Sequence, residues 1–340
     1  MRPRRAYTAI PGAPGCYRAA VETRPEPLGP IRALVAAIGA AFIHGLIFIF
    51  GRVVRSPDER WLVGPVGGAY IGDKPYEECA AREGLTVERN ATKGGLIADF
   101  DELSDGSFDA SAVHPAVRRF YEQTTGYRMD VWASTSFPAN IALWLLVTTI
   151  SRKVNQLNFP LDVLDTAKGM DSEIALLRDP EGRVRYAGWY RRLVGSKRVL
   201  YTGFYMTAKL PDGRPMVKVV FPMPNGNATV VLRPSLGEGG SLELSSAGGS
   251  FRDAGFFRLL ELPRDRLRVW RIRSLKEHFR VYVDESGTLR CDHRIRFLGL
   301  PVLLLHYRIE EKRQDEKRPG EKRSSTPAAE PAQASSSSPA

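Results

Sequence analysis

The chain has 340 residues, 43% of them hydrophobic and 26% charged, which predicts about two globular domains and excludes a coiled-coil rod or a wholly disordered chain. Three widely spaced cysteines, Cys16, Cys79 and Cys291, argue against a disulfide scaffold or a zinc ribbon. The formal net charge of +11 is typical of a surface that attracts nucleic acid or anionic lipid, and the alternative is a solvated, arginine-rich surface without such a partner. Because no pattern of a nucleic-acid-binding module accompanies this charge, we expect membrane lipids as a partner and do not expect nucleic acid.

The chain begins with a basic arm, residues 1–32. This arm contains six prolines, six arginines and two glutamates. Each proline removes a backbone donor and fixes φ, so this density prevents a regular helix. We therefore predict a flexible arm with positive charge.

A long apolar stretch follows the arm and is the main feature of the segment 33–55. Residues 33–50 carry no formal charge at neutral pH. As a helix they span roughly 27 Å, which approaches the hydrocarbon thickness of a bilayer, about 30 Å. We predict a transmembrane or membrane-embedded helix and a single-pass membrane protein, with a buried core helix as the alternative. The flanking charges differ too little to assign the orientation.

Residues 56–172 are predicted to form helices and loops that pack on a sheet. A helix is expected at 74–84, with Gly84 ending it. Another is expected at 113–127, and a buried or membrane-facing helix at 139–150. The apolar face of the second helix consists of Val113, Val117, Phe120, Tyr121 and Thr124.

The pattern changes to period two in residues 173–310. Four turn sequences containing Gly, Asn or Asp separate the β-rich runs, at 179–182, 211–213, 224–227 and 284–287. The short connections indicate antiparallel pairing of about ten strands. We predict an α+β protein with an antiparallel β-barrel or a strongly curved meander sheet, followed by a disordered tail at 311–340.

The interior of that barrel is the predicted ligand site. Alternation places His293 on a buried face and groups tyrosines on the apolar side of two earlier strands. Apolar walls with a few polar tips are typical of sites for lipid-like molecules. The expected ligand-binding residues are Tyr186, Tyr190, Tyr201, Tyr205 and His293. The alternative is that these side chains simply fill the barrel.

A catalytic role is a second hypothesis and rests on His293 as a general base beside a lumen tyrosine. The sequence does not identify the acid that would orient this histidine; Glu122, Asp130 and Glu173 qualify only by being acidic. A further acidic group precedes Gly106 in the wrong order for a calcium loop and is interpreted as turn and capping groups: Asp99, Asp101, Glu102 and Asp105. No metal and no cofactor are expected.

Basic residues at strand edges are predicted to face lipid headgroups. This set consists of Arg191, Arg192, Lys197, Arg198, Arg266 and Arg268. The favoured hypothesis is a membrane-anchored protein that binds a hydrophobic or amphipathic small molecule in a β-barrel. The alternatives are an enzyme acting on such a molecule and a structural or interaction protein with a filled barrel. The sequence does not identify a protein partner.

Overall fold

The computed structural model describes residues 34, 38, 41, 45–67, 75–89, 91–135, 170–193 and 199–312. These residues form a fourteen-stranded sheet, whose strands pair antiparallel, and a few short helices. The antiparallel, β-rich organisation predicted from the period-two pattern is confirmed.

The strands extend beyond the region in which the sequence analysis placed them, since three of them precede residue 136. Their bounds are β1 (Arg52–Arg55), β2 (Thr86–Arg89), β3 (Tyr127–Thr135), β4 (Met170–Arg178), β5 (Val184–Leu193), β6 (Val199–Lys209), β7 (Pro215–Met223), β8 (Gly226–Leu236), β9 (Leu242–Ser245), β10 (Gly255–Leu262), β11 (Arg266–Arg271), β12 (Leu275–Val283), β13 (Leu289–Phe297) and β14 (Leu300–Glu311).

The hydrogen-bonded path through the sheet is open. It runs β2-β4-β5-β6-β7-β8-β9-β12-β13-β14-β3, and β8 also pairs with β10, which continues through β11 to β1. Within the described residues, the two ends of the path, β2 and β3, are not hydrogen-bonded to each other. The sheet is therefore a long antiparallel sheet with a branch at β8.

The sheet is nevertheless strongly curved, as Arg191 demonstrates. This residue lies on β5, yet its side chain reaches Met129 on β3 and the ring of Tyr307 on β14. Both contacts are with strands at the other end of the path. The face that carries Arg191 is consequently the concave one.

The chain itself covers much of the concave face. Residues 91–126 lie against it and bury Phe100, Phe108, Val117 and Phe120 in one apolar core with the sheet. Burial of this apolar surface is the main favourable term for docking the segment. The middle of the sheet is therefore filled by protein.

Two further segments cover the convex face. The helix Pro75–Glu83 buries Tyr76 and Cys79 against β4, β5, β6 and β7. Residues 59–67, here called the strap, bury Trp61 and Leu62 against β7, β8, β10 and β11. Both faces of the central strands are thus buried.

The predicted helices are found with altered bounds. The helix Pro75–Glu83 is followed by Gly84 at φ +70°, as expected for a glycine that ends a helix. The second helix is shorter than predicted, Pro115–Glu122, because the chain leaves helical geometry at Gln123 and pairs with β14 from Tyr127. Its predicted apolar face is buried at all five positions.

The predicted membrane segment 33–55 is described at residues 34, 38, 41 and 45–55. Its described residues up to residue 50 are helical, whereas Arg52–Arg55 form β1 and pair with β11, so the prediction of a helix reaching residue 55 is corrected. A search of the described residues finds no helix with the length and apolar character needed to cross a bilayer. The predicted helix at 139–150 and nearly all of the predicted tail at 311–340 lie outside the described residues.

Candidate functional site

Arg191 occupies the concave face of β5 and is only 7% exposed. Its guanidinium carbon lies 4.6 Å from the ring centroid of Trp189 and 5.4 Å from that of Tyr307. Its Nη2 is 3.9 Å from the Sδ of Met129. A buried arginine is thus held against two aromatic rings and a thioether, and aromatic faces attract such a cation.

The charge of Arg191 has no anionic partner among the residues that the structure describes. No carboxylate forms an ion pair with it there, and its Nε has no hydrogen-bond acceptor. Arginine is effectively always protonated, and a buried charge is costly unless it is paired. The guanidinium of Arg191 is therefore a buried cation without a carboxylate partner among the described residues.

His293 lies on the same concave face. Its strand, β13, is separated from β3 by β14. It is 7% exposed, and its ring stacks on Phe279 with centroids 3.8 Å apart and planes 17° apart. Its Nε2 is 3.7 Å from the Oε2 of Glu277, and this Nε2 forms no hydrogen bond within the described part of the chain. The Nε2 of His293 is therefore a second buried polar atom without a hydrogen bond. His293 lies two residues along β13 from Cys291, which pairs with Tyr307.

We call Arg191, Trp189, Glu277, His293 and Tyr307 the arginine site. The hydroxyl of Tyr307 is buried, which raises its pKa, while the positive charge of Arg191 opposes that shift. The indole of Trp189 donates to the Oγ of Ser172 at 2.7 Å, which fixes the ring. The site combines a fixed cation with aromatic walls.

An apolar strip begins where the arginine site ends. Along β13 the concave face passes from Cys291, in the main core, to His293 and then to Ile295. Ile295 packs with Leu303 and Leu305, in a smaller apolar cluster separate from the main core. The arginine site therefore lies between a filled core and a second, smaller cluster of buried apolar side chains.

The five predicted ligand residues do not share one face. Tyr186 and Tyr190 lie on the convex side, in the cluster formed with the helix Pro75–Glu83. Tyr205 packs against the concave core and contacts Trp189 with ring centroids 5.6 Å apart. His293 belongs to the arginine site, on the buried face that alternation predicts. The backbone of Tyr201 pairs with that of Arg191.

The predicted membrane-surface set also divides. The prediction that Arg191 faces headgroups is corrected, because its side chain is buried inside the curved sheet. Arg192 and Arg266 are exposed, and Lys197 and Arg198 lie outside the described residues. Arg268 is half-buried and donates from Nη1 to the carbonyl oxygens of Phe48 and Gly51 at 3.3 and 3.4 Å.

The acid nearest to His293 is Glu277, which the sequence analysis did not single out. Glu277 shares the alternation of Phe279 and Val281, so its position on the inner face was readable from the pattern of β12. The acids considered instead lie elsewhere: Glu173 pairs with Arg89 at 3.0 Å, and Glu122 with Arg118 at 3.8 Å. Only the structure shows that β12 pairs with β13, which sets Phe279 opposite His293.

In the acidic group before Gly106, two members make the predicted turn and capping contacts, whereas Asp101 pairs with Arg118 at 2.8 Å and Glu102 accepts from Thr207 at 2.7 Å. Asp99 accepts from the backbone amide of Asp101 at 2.9 Å, and Asp105 accepts from those of Ser107 and Phe108 at 2.7 and 2.9 Å. Among the described residues no cluster of three or more His, Cys, Asp or Glu side chains has the arrangement of a metal site.

Three comparisons with known proteins, against family models, curated proteins and solved structures, find no significant match to this chain.

Proposed function

We propose that this protein binds an amphipathic small molecule with a single anionic head, and that the arginine site receives the head. The observation that carries the proposal is the burial of Arg191 without a carboxylate partner among the described residues. Its planar guanidinium presents several donors and suits a carboxylate or a phosphate. An anion bound there would remove the cost of an unpaired buried charge.

The apolar strip supports the lipid-like character of the ligand. Ile295, Leu303 and Leu305 continue from the arginine site along the concave face. These three side chains are already only 9%, 4% and 3% exposed. In this proposal a hydrocarbon tail therefore enters between them while its head contacts Arg191. In this proposal the small molecule occupies one end of a barrel-like curved sheet, and residues 91–126 fill the rest.

A membrane location is part of the same proposal. The helical residues described in the predicted membrane segment expose large apolar side chains, among them Phe48, Phe50 and Ile49, the last being 73% exposed. Exposed apolar groups of this size are typical of surfaces that meet lipid or another protein. We propose that this segment keeps the protein at a membrane, where amphipathic ligands are abundant.

Binding of cis-parinaric acid to the purified, delipidated full chain tests the proposal. We expect Arg191→Leu to weaken binding at least tenfold and Arg191→Lys to weaken it less, because lysine keeps the charge without the planar fork. Methyl parinarate, which lacks the charge, should bind weakly to the wild type and be insensitive to the variant. Arg183→Leu is the matched control, since the Arg183 side chain is 75% exposed in a turn.

Thermal unfolding supplies a second readout. A ligand that binds only the folded state raises the melting temperature, so the acid should stabilise the wild type and not Arg191→Leu. Equal binding of acid and ester, or unchanged binding in Arg191→Leu, would refute the anion site. Competition by dodecanoate against dodecyl phosphate then separates a carboxylate ligand from a phosphate ligand.

A catalytic function is the second candidate, and the pairing of His293 with Glu277 at 3.7 Å is the observation that favours it. A carboxylate beside an imidazole can orient it as a general base. Hydrolysis of a fatty-acyl ester by the wild type, abolished in His293→Gln while parinaric acid still binds, would support catalysis. Absence of turnover together with normal ligand binding would refute it.

A further inference from the structure

The hairpin between β13 and β14 has an apolar tip that is open to solvent. Phe297, Leu298 and Leu300 surround Gly299, and Leu298 and Leu300 are 72% and 67% exposed. These side chains lie next to one another at the end of two neighbouring strands. They form one exposed apolar projection, here called the β13–β14 tip.

The backbone of this tip is unfavourable for its sequence. Leu298 has φ +52° and Gly299 has φ +83°, the signs of a two-residue type I′ turn. Asn, Asp or Gly normally occupies the first of these positions, because a larger side chain is strained there. The chain therefore places an apolar leucine where both local geometry and solvation favour a polar residue.

In the other hairpin turns of the described sheet, the non-glycine residues at positive φ are polar. The β7–β8 turn has Asn225 at φ +55°, and the β10–β11 turn has Arg264 and Asp265 at φ +63° and +51°. The β12–β13 turn, at the opposite end of β13 from the apolar tip, contains Asp284 and Glu285. Leu298 is thus the one apolar residue at positive φ among the described residues. A residue that breaks a local rule in this way is expected where it serves a function.

Positive charges surround the base of the tip. Arg294 and Arg296 are exposed on β13, and Lys276 on β12 lies opposite Arg296. Arg273 is exposed just before β12. Two acids on the outer face lie further from the tip and have partners: Asp292 contacts His306 at 2.7 Å, and Glu243 lies 3.4 Å from His278. An apolar point within a basic ring is complementary to a bilayer with anionic headgroups.

The tip lies at the same end of the molecule as the exposed N-terminal helix residues. The amide of Leu298 donates to the carbonyl of Ser274 at 2.8 Å, and Trp270 stacks on Phe50 with centroids 6.2 Å apart. Trp270 and Ser274 are four residues apart, so their Cα atoms are separated by at most roughly 14 Å. The two apolar elements are therefore attached to neighbouring parts of the chain.

We infer that the β13–β14 tip inserts into the headgroup region of an anionic bilayer. Leu298 and Leu300 enter the apolar boundary, and the arginines and lysine contact phosphate groups. The tip is continuous with β13 and β14, which carry the apolar strip, so insertion would align that strip with the membrane. The inference does not require a bound ligand, because it rests on the exposed tip alone.

The test uses an environment-sensitive NBD label on the full chain in a Cys16→Ser background. Leu300→Cys reports the tip, and Glu285→Cys reports the opposite end of the same strands. With vesicles of phosphatidylcholine and phosphatidylglycerol, we expect a blue shift and quenching by doxyl lipids at residue 300 and none at residue 285. High salt should diminish the signal because it screens the basic ring.

Two variants separate insertion from folding. Leu298→Asn places a residue that tolerates φ +52° at the strained position, so we expect an unchanged or higher melting temperature with a several-fold smaller signal at residue 300. Arg294→Gln with Arg296→Gln should reduce the signal on anionic vesicles.

Water-like emission at residue 300 on anionic vesicles would overturn the inference. So would an equal shift on pure phosphatidylcholine, or a shift without vesicles that grows with protein concentration and reports self-association. Parinaric acid binding measured on the same variants distinguishes failure of this inference from failure of the ligand proposal.

Discussion

Lys218 on β7 donates from its Nζ to the carbonyl oxygen of Trp61 at 3.0 Å, beneath the strap on the convex face. The same Nζ donates to the carbonyl oxygen of Val63 at 2.8 Å, and the side-chain Nδ2 of Asn227 donates to the carbonyl oxygens of Gly64 and Pro65. Backbone carbonyls that are removed from water need such donors. Buried side chains of β7 and β8 therefore hold the strap in place.

Burial gives Lys218 an unusual titration, from which a pH dependence of stability follows. Its pKa is lowered from 10.5 to about 7 by desolvation, so between these values the unfolded state binds a proton that the folded state lacks. Stability should therefore rise from pH 7 to pH 9, with a slope approaching about 1.4 kcal/mol per pH unit.

Guanidinium denaturation of the wild type and of Lys218→Met at several pH values measures this dependence. We expect the rise in stability between pH 7 and pH 9 to be absent in Lys218→Met. It should persist in Lys209→Met, which changes an exposed residue. Parallel pH profiles for wild type and Lys218→Met would contradict the assignment.

Gly188 allows the helix Pro75–Glu83 to approach the sheet. A Cβ at this position would overlap the ring of Tyr76, which is fully buried and packs edge-on against Phe204 with ring centroids 5.1 Å apart. We expect Gly188→Ala to destabilise the protein by about 1–3 kcal/mol through overpacking. Gly106→Ala is the control, since nothing lies near its added Cβ. Chemical denaturation should show little change for the control, and equal losses for both variants would refute the steric explanation.

Two tyrosines in the convex cluster should respond oppositely to removal of the hydroxyl. The hydroxyl of Tyr76 has no hydrogen-bond partner among the described residues, whereas that of Tyr186 donates to Glu83 at 2.8 Å. An unpartnered buried polar group is costly, so Tyr76→Phe should leave stability unchanged or raise it by about 1 kcal/mol. Tyr186→Phe should lower stability by about 1 kcal/mol or more, because it removes a hydrogen bond to a charged group. Matched urea denaturation curves give the comparison, and a loss in Tyr76→Phe would indicate a partner for its hydroxyl.

The thiols of Cys79 and Cys291 should be inert while the protein is folded. Burial raises the pKa of both, that of Cys291 to about 12, and the thiolate is the reactive form. In a Cys16→Ser variant at pH 8, we expect negligible reaction with DTNB under native conditions and two thiols after unfolding. Rapid modification of either thiol in the native state would show that its cluster opens locally.

The sequence determined the local structure of this protein well. Alternation identified the strands after residue 170, and the positive φ of Gly182, Gly213 and Gly287 explains why glycine marked the turns. Periodicity also identified the buried face of the helix that begins at Pro115. These features depend on near neighbours in the chain, so the amino-acid sequence specifies them directly.

The tertiary structure decided which groups meet. Residues Tyr186 to Arg191 are buried on both faces of β5, because the helix Pro75–Glu83 covers one face and the concave core covers the other. Alternation separates two faces within a strand and does not say which is concave. It therefore did not reveal that Tyr186 and Tyr205 lie on opposite sides.

Curvature of the sheet created the arginine site. Arg191 meets Met129 and Tyr307 from strands more than sixty residues away in the chain, and strand pairing sets Phe279 against His293. A period-two pattern carries information about neighbours two residues apart, whereas these contacts depend on the register and bending of the whole sheet. The sequence supplied the strands and the histidine, and only the tertiary fold turned a predicted surface arginine into a buried cation.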